Sequence, residues 1–472
     1  MWIDDICFKE EESKYIEIYL KIKENIENGN IEDGQRLPSI RGLSLKLNVN
    51  KITVISAYNK LKQEGYAYQK IGSGTYAKRK EIPFNFRREY SKTFKMIQGK
   101  DIDFVDFTGE TTKEIFFPIK DFKEIINKVL DRDGEEVLLT QDALGYEPLR
   151  KTINSVFWGN KIDYENILIV SGAQQGIDIA SKAMLNINEN IVVEKPTYGG
   201  ALSVFKWKKA NIIEIPMEND GINIKEFEDV LKKHKIRLLY VMSYFQNPTG
   251  SSYSLEKKKK ILELANKYDF YIIEDDYLSE LIYEKTLEYI PFKKLDKDDR
   301  VVYIKSFSKI FLPGIRLGYI ITPAKFKENF SKTKFNTDIS TSSLMQRALE
   351  YYIKNCGWKK NIIELSKEYK RRYTFLENEI NLKLSEYVTY RKPKGGLNFY
   401  LELKSNKITS RELFFRLREK NVFITPGVLF FKNKEEGDRS FRLGFSQTDR
   451  EKIEIGIDII KEELDVIYNY KR

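Results

Sequence analysis

The chain has 472 residues, of which 41% are hydrophobic and 32% charged, so it is long enough to bury the cores of two or three domains. No apolar run approaches the roughly 18 residues that cross a bilayer, and the first residues lack the features of a signal peptide. We therefore expect a cytoplasmic protein without a membrane segment. One histidine, His234, and two distant cysteines, Cys7 and Cys356, argue against a disulfide framework, a Cys/His metal site and Ser-His-Asp chemistry, and no metal is expected.

The net charge of +11 is concentrated in one short segment. Residues 31–80 contain ten lysines and arginines against three aspartates and glutamates. A basic cluster of this kind is typical of a protein that binds the phosphate backbone of nucleic acid. The charge alone would also fit an ordinary solvated basic face.

The same segment predicts a small helical domain. Apolar residues recur at helical spacing between residues 15 and 28, and Pro38 and Ser39 are typical of the start of a second helix. Asn50 is a suitable N-cap for a third helix, Lys51 to Gln63, which Gly65 would end. The apolar positions of the second helix are Leu43, Leu45 and Leu47. The residues of the third helix predicted to face inward are Ile52, Ile55, Tyr58 and Leu61.

Two short strand-like runs follow, residues 66–70 and 71–77, joined by a Gly-Ser-Gly turn. Two helices, a tight turn, a third helix and a β-wing form the order of a winged helix-turn-helix (α+β) domain. The third helix of such a domain enters the DNA major groove with its N-terminal residues at the base edges, whereas other basic residues reach phosphates. The residues that we expect to contact DNA are Arg36, Ser39, Arg41, Asn50, Lys51, Thr53 and Gly72.

This segment closely resembles the GntR family of bacterial regulators. The resemblance depends on G-Q-R-L-P-S-I-R, on T-V-x-x-A-Y-x-x-L from Thr53 to Leu61, on E-G-Y and on G-S-G-T-Y, and it covers residues 13–78. It implies that the domain binds a double-stranded DNA operator. The alternative is a small helical cap that decorates an enzyme. Residues 79–102 are basic and without clear periodicity, which favours an interdomain linker.

From residue 103 onward, short apolar runs alternate with helical ones. The runs that we interpret as buried parallel strands are 166–170, 190–194, 237–242, 270–276 and 300–305. Their spacing leaves room for crossover helices and favours a three-layer α/β domain with a mostly parallel sheet, whose ligand binds at the carboxyl ends of the strands. We expect a large domain at 103–334 and a smaller C-terminal α+β domain at 335–472. The helices expected in the smaller domain include 358–380 and 410–420, and its strand-like runs are 396–403 and 439–445.

Polar motifs at these strand ends match the needs of a pyridoxal 5'-phosphate (PLP) pocket. Lys309 in S-F-S-K would supply the Schiff-base amine of catalysis. Asp275 in E-D-D-Y would pair with the ring nitrogen and keep the ring protonated, which makes it an electron sink. The segment S-G-A-Q-Q-G (171–176) follows a strand and opens a helix whose amides can hold the phosphate.

Other residues would orient the cofactor and its ligand. Tyr198 can stack on the ring, Asn247 in N-P-T-G can donate to the phenolate oxygen, and Tyr277 is expected near that oxygen. Arg442 in F-R-L-G-F can hold the carboxylate of a substrate or effector bidentately. The full set of expected cofactor contacts is Ser171, Gly172, Ala173, Gln174, Tyr198, Asn247, Asp275, Tyr277, Ser306, Ser308, Lys309 and Arg316.

In their order and spacing these motifs resemble the fold-type I aminotransferases of class I and II over residues 103–470. Joined to the GntR-like segment, the whole chain resembles the MocR subfamily of GntR regulators, in which an aminotransferase-like domain binds the effector. The resemblance implies PLP on Lys309, an amino acid or amine as effector, and a homodimer with its pockets near the subunit interface.

Three features depart from the aminotransferase pattern. Thr140 stands where a tyrosine often reaches the cofactor phosphate of the neighbouring subunit, so that contact is in doubt. Residues 156–161 lack the arginines that are often found there. Gly199 and Gly200 follow Tyr198, and no second arginine is evident nearby for the distal carboxylate of an effector.

Three functions fit these residues. The main hypothesis is a PLP-dependent transcriptional regulator in which an amine displaces Lys309 from PLP, or PLP itself is the signal, and closure of the small domain is passed to paired DNA-binding domains. The second is a working aminotransferase that carries an accessory DNA-binding domain. The third is a DNA-binding protein whose pocket has lost PLP. The sequence leaves them open because the first two need nearly the same residues.

Overall fold

The computed structural model describes residues 13–27, 31, 34–63, 66–70, 72–78, 90, 104–109, 113–139, 142–355 and 357–469. The described residues form two compact units, one within residues 1–101 and one within residues 102–469. We call residues 13–78 the head and residues 104–469 the body. Three predicted features lie outside the described residues, namely Gly65 as a helix end, the departure at Thr140, and the linker 79–102 apart from residue 90.

The head contains three helices and a two-stranded wing, as the sequence predicts. The helices are α1 (Lys14–Glu27), α2 (Ile40–Lys46) and α3 (Lys51–Gln63). Ser39 caps α2, because its Oγ accepts a hydrogen bond from the Gly42 amide at 3.0 Å. Asn50 caps α3 in the same way, since its Oδ1 accepts from the Ile52 amide at 3.0 Å. The predicted N-cap of the third helix is therefore confirmed.

The wing is an antiparallel pair of short strands, β1 (Ala67–Lys70) and β2 (Gly74–Ala77). The chain reverses between them at Gly72, whose φ of +76° is one that glycine adopts without strain. Tyr68 and Tyr76 lie opposite each other across the pair, with their ring centroids 5.7 Å apart. The winged helix-turn-helix architecture predicted for this segment is the one observed.

One prediction about the head is wrong. Ile52 and Ile55 do not face the core, because their side chains are 68% and 39% exposed. The buried stripe of α3 consists of Val54, Ala57, Tyr58 and Leu61. Leu61 is fully buried, and Ile52 precedes it by two and a half turns of the helix, which places Ile52 on the opposite side. In α2, Leu45 is likewise 74% exposed.

The body is built around an eight-stranded sheet with the order β4-β11-β10-β9-β8-β5-β6-β7. The strands are β4 (Ile167–Val170), β5 (Asn190–Lys195), β6 (Asn211–Glu218), β7 (Gly221–Ile222), β8 (Ile236–Val241), β9 (Tyr271–Asp276), β10 (Val301–Ser306) and β11 (Gly318–Ile321). Strand β11 runs antiparallel to β4 and β10, and β7 runs antiparallel to β6. The five predicted strands are confirmed, whereas β6, β7 and β11 were not predicted.

Helices cover both faces of this sheet. The helices of the body up to residue 338 are α4 (Ile119–Asp133), α5 (Glu147–Trp158), α6 (Ala173–Met184), α7 (Gly199–Trp207), α8 (Ile224–Lys233), α9 (Leu255–Tyr268), α10 (Phe292–Leu295) and α11 (Lys327–Asp338). Helix α6 approaches the side of the sheet that carries Ile304, where the Cβ of any larger residue at Gly176 would lie 2.9 Å from Ile304 Cγ2. On the other side, α8 and α9 pack with Val301 and Ile272 in one apolar cluster. The predicted three-layer arrangement is confirmed.

A second sheet lies in the C-terminal part of the body, with the order β12-β13-β16-β15. Its strands are β12 (Val388–Tyr390), β13 (Asn398–Leu403), β15 (Thr425–Pro426) and β16 (Ser440–Gly444). The helices of this part are α12 (Ser343–Lys354), α13 (Gly357–Glu379), α14 (Ser410–Glu419) and α15 (Arg450–Asn469). The expected helices near 358–380 and 410–420 and both strand-like runs are confirmed.

A short parallel pair of strands joins the start of the body to its C-terminal part. Strand β3 (Val105–Asp106), at the start of the body, pairs with β14 (Val422–Phe423). The N-terminal segment of the body is thus held against its C-terminal part. In the described part of the chain, no helix is both long enough and apolar enough to cross a membrane.

Candidate cofactor pocket and DNA-binding surface

The predicted pocket residues of the body gather at the carboxyl edge of the large sheet. Asp275 is the last residue but one of β9, and Lys309 follows the end of β10 by three residues. Because β9 and β10 are parallel neighbours, their ends meet at one edge. The positive charge of Lys309 acts on the Asp275 carboxyl and favours its ionised form, so the two groups are close enough to interact.

The Asp275 carboxylate is prepared for a cationic partner. It is 2% exposed, and its Oδ2 accepts a hydrogen bond from the Tyr240 hydroxyl at 2.7 Å. Its Oδ1 is buried and has no hydrogen-bond partner among the residues that the structure describes. Burial, followed by the nearby charge of Asp276, raises the pKa of the Asp275 carboxyl to about 7. A protonated ring nitrogen would supply both the missing donor and the compensating charge, so this residue fits the ring of PLP.

The predicted phosphate cradle lies where β4 leads into α6. Gly172 is the residue before α6 and has a φ of +88°, and a Cβ placed there would lie 2.9 Å from Arg316 Nη2. Arg316 donates from Nη2 to the Ser171 carbonyl at 3.0 Å and from Nη1 to Ser308 Oγ at 3.3 Å. Free amides at a helix start and an adjacent guanidinium form a site suited to a phosphate. The structure therefore brings Ser171, Gly172, Ser308 and Arg316 together as predicted.

Asn247 and Arg442 meet directly. Arg442 is 5% exposed and donates from Nη1 to Asn247 Oδ1 at 2.8 Å. Its Nη2 donates to the Thr108 carbonyl at 3.0 Å and to Thr425 Oγ1 at 3.3 Å. The guanidinium also lies over the ring of Phe430, at 5.4 Å from its centroid. One side chain thus links the start of the body, the loop after β8 and the C-terminal sheet.

Tyr198 stands at the mouth of the pocket beside Gln174. Its hydroxyl donates to Gln174 Oε1 at 3.2 Å, and Gln174 Nε2 donates to the Gly200 carbonyl at 3.2 Å. Gly200 has no room for a larger side chain, since a Cβ there would overlap the Tyr198 ring. Gly200, the second of the two glycines that depart from the aminotransferase pattern, therefore has a packing reason.

Three other predicted residues complete the set. The Tyr277 hydroxyl donates to the Phe245 carbonyl at 2.8 Å, two residues before Asn247. Ser306 Oγ accepts from the Ser308 amide at 3.2 Å and shapes the turn that precedes Lys309. Ala173 is the first residue of α6. These three residues lie at the same edge as the rest of the predicted set.

Several buried polar groups around the pocket were not predicted. Glu194 is fully buried and accepts hydrogen bonds from the Met242 amide, Gln246 Nε2 and the Tyr253 hydroxyl at 2.9, 3.0 and 2.9 Å. Burial raises the pKa of Glu194 to about 8. Because Gln246 precedes Asn247, this carboxyl fixes the loop that carries Asn247. No motif identifies Glu194, since its partners lie about 50 residues away in the sequence.

A second buried group surrounds Asp276. Lys305 Nζ donates to Asp276 Oδ1, Ser279 Oγ and Glu280 Oε2 at 3.1, 2.8 and 2.8 Å. Asp276 Oδ2 accepts from the hydroxyls of Tyr289 and Tyr303 at 2.6 and 2.7 Å. The Lys305 charge and these hydroxyls hold the pKa of Asp276 low despite its burial. The neighbouring carboxylate therefore stays charged next to Asp275.

Asn398 and Asp338 also lie at the edge of the pocket. Asn398 is 3% exposed and lies on the face of the C-terminal sheet that carries Arg442, and within the described part of the chain its buried Oδ1 has no hydrogen-bond partner. Asp338 accepts from Gln175 Nε2 at 2.7 Å and from Ser171 Oγ at 3.5 Å, so it supports the phosphate cradle. The sequence offers no motif for either residue.

In the head, the residues predicted to contact DNA lie on the surface. The exposed ones are Arg36, Ser39, Arg41, Asn50, Lys51 and Gly72, whereas Thr53 is half-buried. The oxygens of Ser39 and Asn50 already accept capping hydrogen bonds from the helix backbone. Arg36 lies against the wing, where a Cβ on Gly74 would be 3.0 Å from its Nε. The structure thus supplies a basic surface around the N-terminal end of α3.

Comparison with known families decides the class of the body. The family model for aminotransferase class I and II matches residues 114–460. The chain belongs to this family. The model for bacterial regulatory proteins of the gntR family matches residues 14–77. An aminotransferase-family body fused to a GntR head is the domain arrangement of MocR-type regulators, and PLP is the cofactor that the aminotransferase fold implies.

Relatives of this aminotransferase-family chain include enzymes and regulators. It is 29% identical over 390 residues to aromatic-amino-acid aminotransferase 1 of Thermococcus litoralis, covering 80% of this chain and 92% of the relative. It is 28% identical over 464 residues to the uncharacterized HTH-type transcriptional regulator YdfD of Bacillus subtilis, covering 94% and 95%. It is 26% identical over 455 residues to the HTH-type transcriptional regulator NorG of Staphylococcus aureus, covering 92% and 99%.

Solved structures agree with this assignment. The kynurenine aminotransferase of Pyrococcus horikoshii, solved in complex with PMP, matches with a TM-score of 0.76 and 29% identity over 81% of this chain and 95% of that chain. The α-aminoadipate aminotransferase LysN of Thermus thermophilus, complexed with N-(5'-phosphopyridoxyl)-L-leucine, matches with a TM-score of 0.74 and 26% identity over 83% and 97%. Both matches confirm the fold-type I architecture of the body.

Proposed function

We propose that this protein is a transcriptional regulator that binds a double-stranded DNA operator through its head and senses PLP, an amino acid or an amine through its body. The observation that carries the proposal is the buried Oδ1 of Asp275, without a partner, in a chain that also has an exposed basic winged helix. The first feature fits a cationic cofactor ring, and the second fits a DNA backbone. Relatives named as regulators match more than nine tenths of the chain.

When bound, PLP supplies an aldehyde that reacts with amines and a ring that withdraws electrons. Lys309 would hold the cofactor and move a proton at its Nζ. Asp275 would hold the proton on the ring nitrogen, and Asn247 would orient the phenolate oxygen. Ser171, Gly172, Ala173, Ser306, Ser308 and Arg316 would bind the phosphate, and Gln174, Tyr198 and Tyr277 would enclose the ring.

Arg442 is the residue that we expect to convert ligand binding into a change of shape. Its guanidinium joins Thr108, Asn247 and Thr425, which come from three separate segments of the body. An effector carboxylate that binds Arg442 must change these contacts. A ligand shifts an equilibrium only through different affinities for the two states, and contact with Arg442 gives it that difference.

We further propose that the protein is a cytoplasmic homodimer, so that two heads bind two halves of one operator. GntR-type heads resemble the helix-turn-helix proteins that bind such paired half-sites. Sedimentation of the full chain with and without operator DNA would test the stoichiometry.

The proposed function is tested by DNA binding of the full chain. Fluorescence anisotropy at fixed salt would use the duplex upstream of its own gene, with and without PLP and a panel of amino acids. We expect sequence-dependent binding that changes with PLP or with one amine. Lys309→Ala should remove the response to ligand but keep DNA affinity, whereas the control Lys332→Ala, at a surface side chain 76% exposed, should keep both. Weak binding that ignores sequence would contradict the proposal.

A second candidate is an active aminotransferase with an accessory head. It is favoured by the full set of pocket residues and by the aminotransferase relatives. Incubation with PLP, an amino acid and a keto acid would separate the two functions. Formation of the new keto acid over many turnovers supports the enzyme, and a single turnover or none supports the sensor.

A further inference from the structure

The face of α3 that points away from the head core is apolar at its start. Ile52 lies in the first turn and is 68% exposed, and Ile55, three residues later on the same face, is 39% exposed. Single exposed apolar side chains are common on proteins. Here the two side chains lie together on the helix that a GntR-type head uses to contact bases, so their exposure leaves them available to contact DNA.

The head that carries this apolar strip also presents basic groups, with Lys51 next to Ile52 in the chain, Arg41 on α2 and Arg36 against the wing. Arg36, Arg41 and Lys51 are exposed, and none of them forms an ion pair with a residue of the described chain. A partner of this surface must therefore offer both negative charge and apolar atoms. The DNA major groove has this composition, because phosphates line it and the C5-methyl groups of thymine project into it.

Hydrogen-bonding groups in the first turn of α3 are partly used by the protein itself. Asn50 Oδ1 accepts the capping hydrogen bond from the Ile52 amide. Thr53 is half-buried. The side chains that remain fully presented by this turn are Lys51 and Ile52. A methyl contact by Ile52 would thus be a main source of base discrimination.

We propose that Ile52, supported by Ile55, contacts the C5-methyl groups of thymine in the major groove, so that the operator half-site carries thymine where the first turn of α3 enters. This inference rests on the proposed function and adds the class of base that the head prefers. Burial of one methyl group is worth ~0.8 kcal/mol, which corresponds to about fourfold in affinity.

The test removes the apolar group from each side of the contact, the C5-methyl group of thymine in the DNA and the side chain of Ile52 in the protein. Duplexes that bind the full chain with PLP would be selected from a random library, and each thymine of the selected sequence would be replaced in turn by deoxyuridine. We expect about fourfold weaker anisotropy-measured binding at one or two positions per half-site. Ile52→Ala should lose similar affinity for the thymine duplex and become insensitive to deoxyuridine at those positions, so the two changes are not additive.

Two controls separate a base contact from a change in fold or charge. Leu20→Ala removes an apolar side chain that is 47% exposed on α1, and it should leave affinity and deoxyuridine sensitivity unchanged. The salt dependence of binding should be the same for Ile52→Ala and the wild type, because no phosphate contact is lost.

The outcomes are distinct. Sequence-specific binding that tolerates deoxyuridine at every position would overturn the inference and leave the proposed function intact. An Ile52→Ala protein that keeps full deoxyuridine sensitivity would overturn it too, because the methyl contact would then belong to another residue. Failure of the wild type to select any sequence would overturn the proposed function and the inference together.

Discussion

The head and the pocket of the body use charged residues in opposite ways. In the pocket, Asp275, Asp276 and Lys305 are at most 3% exposed and their partners are other residues of the chain. In the head, Arg36 and Lys51 are exposed to solvent. A buried charge is costly unless its surroundings compensate it, so its neighbours constrain its identity. An exposed charge is constrained only by what the protein binds.

The first prediction tests which side of α3 stabilises the head. Leu61→Ala should cost about 2–5 kcal/mol, because Leu61 is fully buried in the head core. Ile52→Ala should change stability by less than about 0.5 kcal/mol, since its side chain is exposed. Native-state hydrogen exchange of the α3 amides in the full chain measures both. Equal losses for the two variants would mean that the helix face is assigned incorrectly.

The second prediction concerns the pocket and pH. The folded protein without cofactor favours the protonated Asp275 carboxyl, since burial raises its pKa from 3.8 to about 7. Folding therefore takes up a proton at Asp275 in this range, and the contribution of Asp275 to stability falls as pH rises from about 4 to about 7 and is level above that. The full effect is on the order of 4 kcal/mol.

Asp275→Asn isolates this contribution. Denaturant unfolding between pH 4 and 8 should show that stability falls more steeply with pH in the wild type than in the variant, which keeps only the slope due to other buried carboxyls such as Glu194. A matched Asp229→Asn change on the surface of α8 should keep the wild-type slope. PLP should reduce the slope in the wild type, because a cationic ring favours the ionised carboxylate. Parallel curves for wild type and Asp275→Asn would contradict the burial argument.

The third prediction separates backbone strain from the phosphate cradle. Gly172→Ala should weaken PLP binding by about tenfold, because the new methyl group lies 2.9 Å from Arg316 Nη2 and displaces a charged donor. Gly134→Ala is the control, since its φ of +53° gives similar strain with no atom within 4 Å of the new Cβ. Absorbance titration with PLP should distinguish the two, and equal affinities would exclude the proposed clash.

The fourth prediction is the smallest and returns to the head. Asn50→Ala should cost about 1 kcal/mol by removing the N-cap of α3. Asn59→Ala, at an exposed position in the middle of the same helix, should cost nothing, because alanine favours helices. Hydrogen exchange of the first turn of α3 would detect the difference. An unchanged exchange rate in Asn50→Ala would show that the cap contributes little.

The comparison also explains what the sequence could predict. Strand β4 is an uninterrupted apolar run and β10 begins with four apolar residues, because both strands are buried along their whole length. Strand β6 was not predicted, since Glu214 and Pro216 interrupt its run. Strand β11 was not predicted, because it is only four residues long and follows directly on the motif that contains Lys309 and Arg316.

For the site, motifs identified the residues that would touch the cofactor but not those that support them. Asp275 and Asn247 belong to short local patterns. Glu194 and Asp338 act through partners that are distant in the sequence, so they leave no local pattern. Ile52 was misplaced because α3 carries enough apolar residues for two faces, and only packing against α1 and the wing selects one.

The pairing of β3 with β14 has a consequence for how the protein is made. The head depends on contacts within residues 13–78, so it can acquire its core while the ribosome is still translating the rest. Strand β3, at the start of the body, cannot pair until Val422 and Phe423 have been synthesised. The Thr108 carbonyl cannot accept its hydrogen bond until Arg442 has been synthesised. During synthesis the DNA-binding head therefore folds well before the ligand-binding body. Any binding of the incomplete chain to DNA precedes its ability to respond to a ligand.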